Sequence, residues 1–168
     1  DGIGKILNAI DSSGESDNTI VWFFSDNGGI GSLPKNNLPL RGNKLDVWEG
    51  GVRVPAAVRW PNGDLRGGGK ISVPLSCIDV VPTLINVTGG KDVSLGNKQL
   101  DGHDVLDVLQ GKSKRLDREL YFYHGQAGDA KEEIAIRTAK WKLLILGPNI
   151  KNGRWKTEKH KLHLFRID

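Results

Sequence analysis

The sequence predicts an α/β unit followed by a small antiparallel β-sheet. Near the start, apolar residues repeat at helical spacing at Ile3, Ile6, Leu7 and Ile10. Residues 19–24 (TIVWFF) then form a continuous apolar, β-branched and aromatic run. A helix followed by such a run is typical of an α/β sheet whose strand is covered on both faces. Towards the carboxyl end the spacing changes to short alternating runs, which indicate antiparallel strands.

Between these two regions the chain alternates loops with short elements. Residues 25–51 are rich in glycine, asparagine and proline and predict a long loop, a feature that is commonly functional in compact domains. Residues 54–60 predict a second short buried strand, which Pro61-Asn62-Gly63 turns. Helices are predicted over 76–88, with a capping box of Ser76 and Asp79, and over 104–110.

Four short strands are predicted in the last third, over residues 120–123, 133–138, 140–146 and 162–165. Their close spacing favours an antiparallel meander. The sequence therefore predicts two domains, with residues 1–115 forming the α/β part and residues 116–168 a small antiparallel sheet.

Composition excludes several classes of protein. The 168 residues include 26% charged residues and no apolar stretch of the about 18 residues that a membrane-spanning helix needs. A single cysteine, Cys77, excludes a disulfide framework and a cysteine-based zinc site. The chain begins at Asp1 and contains no methionine, so we expect a processed product or a piece of a longer protein.

Residues 145–168 are basic, with six Lys or Arg residues against two acidic ones. Such an end could contact nucleic acid, but the cations are spaced among turn residues and do not form a dense stripe. A solvated hairpin is the simpler interpretation, and the pattern disfavours nucleic acid as a partner.

Two segments contain candidate functional residues. Asp26 and Asn27, in the SDNGG segment that follows the first strand, offer hard oxygen ligands suited to calcium or magnesium, although spacing alone favours an ordinary Asx turn. The second segment is residues 40–55 (LRGNKLDVWEGGVRVP). A lysine there could bind an oxyanion of a substrate, and arginines could pair with a carboxylate of the loop. A solvated charged loop is the simpler alternative. The charged candidates there are Arg41, Lys44, Glu49 and Arg53.

The order of segments along the chain resembles the C-terminal part of type I sulfatases. The resemblance rests on the two segments above and on four more: CIDVVPTLINVTGG, LDGHDVLDVLQGK, RELYFYHG and AIRTAKWKLL. Those enzymes belong to the alkaline-phosphatase-like superfamily, and the resemblance is closest to arylsulfatases. It implies that residues 1–115 are the C-terminal part of the sulfatase α/β core and that 116–168 are a truncated sheet subdomain.

The resemblance also implies roles for single residues. Asp26 and Asn27 match two ligands of a calcium ion, with magnesium as the alternative, and Lys44 matches the lysine that contacts the sulfate of the substrate. Arg41, Glu49 and Arg53 match positions that we interpret as supports of this loop.

The nucleophile of the family is a formylglycine made from the Cys or Ser of a C/S-x-P-x-R motif. The chain contains no such motif, and Cys77 does not fit it, so we expect the formylglycine in a missing N-terminal part of the same protein. The resemblance thus implies a sulfuric ester hydrolase acting on an aryl or sugar sulfate, with this chain inactive by itself. It implies a secreted, periplasmic or lysosomal protein.

Two alternatives stay open at this point. A phosphatase or phosphonate hydrolase of the same superfamily would use a similar site for a different anion. A non-catalytic module could instead bind polyanions through the basic end, with Lys156, Lys159 and Lys161 as contacts. The sequence does not name the sulfated substrate or the oligomeric state.

Overall fold

The fold is that of a computed structural model, which describes residues 1–33, 36–90, 99–126, 130–153 and 159–167. Its contacts divide the chain into two compact units. The first comprises Asp1–Phe23 and Ala56–Leu116, and the second comprises Phe24–Pro55 and Asp117–Asp168. The segment that contains the candidate residues is thus grouped with the C-terminal sheet, whereas the domain boundary predicted between residues 115 and 116 stays a prediction.

The first unit begins with the predicted helix, α1, over Gly2–Ser12. The helix ends at Ser12 with Ser13 as its C-cap, and Gly14 follows with a φ of 76°, a left-handed conformation that favours glycine. Its helical spacing was predicted correctly. Ile3 and Ile6 are nevertheless exposed, and no residue of α1 is buried.

Strand β1 (Val21–Phe24) pairs with β2 (Ala56–Arg59) in a two-stranded sheet. Both strands were predicted, but the expected burial on both faces is wrong, because Phe23 and Phe24 are 45% and 39% exposed. Full burial requires a layer of structure on each face of the sheet. In the first unit, Trp22 lines a small apolar hollow together with Leu84 and Leu106 of the helical region.

Two further helices of the first unit lie where they were predicted. A 3₁₀ turn at Cys77–Asp79 leads into α3 (Val80–Val87), and α4 spans Leu106–Leu109. The predicted capping box is confirmed, with the Asp79 carboxylate accepting a hydrogen bond from the Ser76 amide at 2.8 Å.

Asp79 also connects this region to the chain before α4. The carboxylate of this fully buried residue accepts a second hydrogen bond from the His103 amide at 3.0 Å. Thr83 donates from its hydroxyl to the Asp79 carbonyl at 2.7 Å and accepts from the Val105 amide at 3.0 Å. Asp79 and Thr83 are therefore structural polar groups whose hydrogen bonds compensate for their burial.

The second unit contains a four-stranded antiparallel sheet in the order β3-β4-β5-β6, which confirms the predicted meander. The strands span Leu120–His124, Glu132–Arg137, Trp141–Gly147 and Lys161–Arg166. The predicted α/β class with an added antiparallel sheet is therefore confirmed. None of the described helices is long and apolar enough to cross a membrane.

The core of the second unit joins this sheet to the segment that was predicted as a loop. Val47 and Trp48 from that segment pack with Ala135 and Leu144 of the sheet, and Phe122, Leu146 and Phe165 pack around them. The prediction of a loop without regular structure is wrong at Glu49–Val52, which forms a short helix, α2. A Cβ atom at Gly50 would lie 2.3 Å from the Gly42 carbonyl oxygen, so this close packing requires glycine.

Candidate functional site

The segment that contains Asp26 and Asn27 is held by backbone hydrogen bonds to the region around α2. The Ser25 amide donates to the Pro55 carbonyl at 3.2 Å, and the Gly28 amide donates to the Gly51 carbonyl at 2.9 Å. A Cβ atom at Gly28 would lie 1.7 Å from the Gly50 carbonyl oxygen. Glycine at this position is therefore a steric requirement, because any side chain would push the two backbone segments apart.

Asp26 and Asn27 present the oxygen donors that a hard cation prefers. Asp26 is exposed and Asn27 is half-buried, and the Asn27 amide nitrogen donates to the Asp26 carboxylate at 2.6 Å. A carboxylate oxygen and an amide oxygen are ligand types that calcium and magnesium prefer. Calcium, however, binds roughly six to eight oxygens, and this pair of residues supplies only some of them. Among the described residues, no cluster of three or more His, Cys, Asp or Glu side chains could hold a metal ion. Most of the ligands would have to come from elsewhere.

Asn37 connects this segment to the one that contains Lys44. Its side-chain oxygen accepts from the Gly29 amide at 2.8 Å, and its nitrogen donates to the Gly29 and Gly42 carbonyls at 3.1 and 3.0 Å. The Lys44 amide donates to the same Gly29 carbonyl at 2.9 Å. Sequence reasoning missed Asn37, because one asparagine in an asparagine-rich loop has no distinguishing pattern.

Lys44 is exposed, and among the described residues no carboxylate forms an ion pair with its ammonium group. Arg41, in contrast, lies over the Trp48 ring, with its guanidinium carbon 3.9 Å from the ring centroid. Trp48 in turn packs against Phe165 and His163 at centroid distances of 5.7 and 5.2 Å. The Arg41 side chain is therefore committed to a packing contact, whereas the Lys44 side chain is not.

Glu49 lies at the centre of a cluster of cations. Lys142 on β5 donates to its Oε1 at 2.7 Å, and the Arg137 Nε lies 3.8 Å from the same oxygen. Arg53 is more distant, with 4.0 Å between its nitrogen and Oε2. Lys142 and Arg137 were missed, because an alternating strand pattern does not reveal that a lysine will face the core.

Burial governs the electrostatics of this cluster. The Lys142 side chain is only 1% exposed, and this burial lowers its pKa from the ordinary value, although the hydrogen bond and charge of Glu49 act in the opposite direction. Burial likewise lowers the pKa of Arg137, and Glu49 again opposes the change. A buried cation is tolerated when it is paired and hydrogen-bonded, so Glu49 accounts for the lysine in this core.

An open hollow of about 490 Å³ lies beside these segments, within the second unit. Asn27 and Arg53 both line it, whereas Asp26, Lys44, Arg41 and Glu49 are not among its described lining residues. The remaining lining residues are Ser25, Gly28, Gly29, Asn36, Asn37, Leu38, Leu40, Val54 and Pro55. The structure thus brings one predicted metal ligand and one predicted loop support to the same surface.

The basic end is only partly described. Lys159 and Lys161 are exposed, and Lys156 lies outside the described residues. The predicted polyanion contacts at these three lysines stay predictions.

Comparison with known proteins identifies the family of the chain. The family model described as Sulfatase matches residues 1–90. The chain belongs to the sulfatase family. This confirms the family resemblance and the fold class that the sequence predicted.

Individual sulfatases align with most of the chain. It is 34% identical over 156 residues to steryl-sulfatase of Mus musculus, in a match that covers 88% of the chain and 24% of the relative. It is 32% identical over 165 residues to N-acetylgalactosamine-6-sulfatase of Mus musculus, which covers 92% of the chain and 31% of the relative. The crystal structure of Ps i-CgsB is similar with a TM-score of 0.78 and 31% identity, covering 99% of the chain and 34% of that protein.

This sulfatase chain therefore spans about a quarter to a third of the length of these relatives. Its candidate residues can represent only a part of a complete sulfatase site.

Proposed function

We propose that the chain is the C-terminal portion of a sulfuric ester hydrolase, in which Asp26 and Asn27 are metal ligands and Lys44 contacts the sulfate. One observation carries this proposal: Lys44 and the Asp26-Asn27 pair belong to a single hydrogen-bonded framework. The Gly29 carbonyl accepts from both the Lys44 amide and the Asn37 side chain, so the two segments are held in fixed register. Family membership supplies the reaction class.

The charges of the framework divide into two groups. The side chains of Arg41 and Glu49 are engaged with Trp48 and Lys142, and they maintain the shape of the loop. Lys44 is exposed, and no described carboxylate pairs with its ammonium group, so this group can approach a sulfate oxygen. A compact ammonium charge near a sulfate oxygen stabilises the negative charge that develops when the sulfur–oxygen ester bond breaks.

The remaining parts of the reaction would come from outside this chain. A calcium or magnesium ion, when bound, would supply positive charge beside the sulfate, with Asp26 and Asn27 among its oxygen ligands. The nucleophile would be a formylglycine in the N-terminal part of the same protein. The chain alone is therefore proposed to bind and orient but not to hydrolyse sulfate esters.

The substrate class follows only from relatives. Their names are steryl-sulfatase and N-acetylgalactosamine-6-sulfatase, and Ps i-CgsB has been crystallised in complex with k-i-k-neocarrahexaose. We extend this to an aryl or sugar sulfate for the present protein, in a secreted, periplasmic or lysosomal setting.

The metal half of the proposal is tested by calorimetry with calcium. We expect a dissociation constant of about 10⁻⁴ to 10⁻³ M, since only one formal carboxylate charge is available. Asp26→Asn should weaken binding about tenfold, whereas Asp17→Asn, at an exposed carboxylate in the first unit, should not. Submicromolar binding would contradict the expected weak affinity, and equal effects of the two variants would contradict the proposed ligands.

The sulfate half is tested with inorganic sulfate in calcium-containing buffer. Lys44→Gln should weaken sulfate binding about tenfold, the effect of losing one charge-assisted hydrogen bond. Lys70→Gln, at an exposed lysine of the first unit, is the matched control. Robust hydrolysis of an aryl sulfate by the chain would refute its inactivity, and preferential binding of phosphate esters would favour the phosphatase alternative.

A further inference from the structure

The turn that follows Lys44 contains a residue in an unfavourable backbone conformation. Leu45 has a φ of 75°, in the left-handed region where a side chain clashes with the backbone. Its side chain is exposed, so burial of apolar surface does not compensate for this cost. Such a conformation persists only where neighbouring contacts enforce it, and it occurs often at functional sites. The conformation of Leu45 sets the path of the chain immediately after Lys44.

The carboxylate of Asp46 supplies contacts that enforce this turn. Its Oδ2 accepts a hydrogen bond from the Asn43 amide at 2.9 Å, and its Oδ1 accepts from the Trp48 amide at 3.2 Å. The Asp46 amide in turn donates to the Asn43 carbonyl at 3.2 Å. One side chain therefore connects the residue before Lys44 to the chain beyond Leu45, and hydrogen bonds to a charged acceptor are stronger than neutral ones.

The frame around Asp46 is itself closely packed. A Cβ atom at Gly42 would lie 2.5 Å from its Oδ1, and a Cβ atom at Gly51 would lie 2.8 Å from the same oxygen. Both backbones therefore approach the carboxylate more closely than a side chain would allow. Directly after Asp46, the Val47 amide donates to Glu133 Oε2 on β4 at 3.1 Å, which ties the turn to the sheet.

We propose that Asp46 is a positioning residue, which acts on the sulfate through Lys44. This rests on the proposed function, in which Lys44 contacts the sulfate. The ammonium group of a lysine lies at the end of a flexible stem, so a fixed backbone turn reduces the ordering that binding requires. The charge of Asp46 has the opposite effect, because a carboxylate repels a sulfate. Removal of this carboxylate should therefore weaken sulfate binding if it positions Lys44 and strengthen it if only its charge matters.

The test measures binding of inorganic sulfate by calorimetry in calcium-containing buffer. Asp46→Ala should weaken binding about tenfold, although it removes a negative charge. In a Lys44→Gln background the same substitution should have no further effect beyond about twofold, because its action passes through Lys44. Leu45→Asn should recover part of the affinity of Asp46→Ala, since asparagine adopts the left-handed conformation more readily than leucine. Asp17→Ala, at an exposed carboxylate of the first unit, should leave binding within about twofold.

Nuclear magnetic resonance tests the turn without sulfate. A left-handed residue has its own amide and Hα protons close together, so the Overhauser effect between them should be strong at Leu45 and weaker in Asp46→Ala. Circular dichroism verifies folding, and Asp46→Asn, which keeps one acceptor and should have intermediate affinity, replaces the alanine variant if that variant unfolds.

The outcomes separate this proposal from the proposed function. Unchanged or tighter sulfate binding by Asp46→Ala, equal weakening with and without Lys44, or an unchanged signal at Leu45 would overturn the positioning role. If the Leu45 signal weakens in Asp46→Ala but Lys44→Gln does not affect sulfate binding, the role proposed for Lys44 fails and the control of the turn by Asp46 stands. The same conclusion follows if the unmodified protein does not bind sulfate.

Discussion

Replacing Lys142 by methionine tests whether the Glu49 cluster holds the candidate loop on the sheet. The substitution keeps the length and apolar stem of the side chain and removes the ammonium that lies 2.7 Å from Glu49. At an effective dielectric constant of about 20, a pair at that distance has a gross attraction of about 6 kcal/mol, against about 4 kcal/mol for Arg137 at 3.8 Å. Lys142 is therefore the dominant partner of the carboxylate.

We expect Lys142→Met to lower the free energy of unfolding by about 3 kcal/mol, the lower end of the range for breaking a buried ion pair, since Arg137 partly compensates. Glu49→Gln should also destabilise, and the double variant should cost about 2 kcal/mol less than the sum of the single ones. Urea unfolding followed by circular dichroism measures all three. Lys140→Met, at an exposed lysine beside β5, should stay within about 0.5 kcal/mol. Additive effects, or a stability unchanged by Lys142→Met, would refute the reasoning.

The same pair predicts a dependence of stability on pH. Burial lowers the pKa of Lys142 in the folded state, so the unfolded state binds more protons as pH approaches 10.5, the ordinary value. Stability contributed by this group therefore rises with pH below 10.5. Unfolding curves at a series of alkaline pH values should show this rise in the unmodified protein relative to Lys142→Met. Parallel pH profiles for the two proteins would contradict it.

Two further substitutions probe the framework of the site. Gly28→Ala places a Cβ atom 1.7 Å from the Gly50 carbonyl and should destabilise by about 3 kcal/mol in thermal unfolding, whereas Gly2→Ala meets open space and should be neutral or slightly stabilising. Asn37→Ala removes three hydrogen bonds to the Gly29 and Gly42 backbone and should cost about 2 kcal/mol, with faster amide exchange at Gly29. Asn36→Ala is its control, and equal effects at both asparagines would count against the bridging role of Asn37.

Much of the fold could be predicted because the relevant signals are local. Helix α1 has apolar residues at helical spacing and a glycine at its end, and the helix at α3 has a capping box at Ser76 and Asp79. The meander of the second unit was predicted from short alternating runs. Burial was predicted less well, as the exposed Phe23 and Phe24 demonstrate, since burial depends on which other segments cover a strand.

The residues of the candidate site also fall into those that were predicted from the sequence and those that only the structure identified. Asp26, Asn27 and Lys44 were chosen by residue type, position after a strand and family resemblance, and their roles remain proposals. Asn37 and Lys142 were not chosen, because their functions are defined by partners that are distant in sequence. Lys142 and Glu49 are 93 residues apart, and no local pattern can relate them.

The amino-acid sequence by itself determined the order of helices and strands, the family and the residue types available for chemistry. These depend on local spacing, turn residues and motif order, which a linear chain displays. Only the tertiary structure decided that Lys142 is buried against Glu49, that Arg41 packs on Trp48, and that Arg53 lines a hollow without described carboxylates. The physical reason is that electrostatic and packing energies depend on distance in space and on exclusion of water, which folding alone establishes.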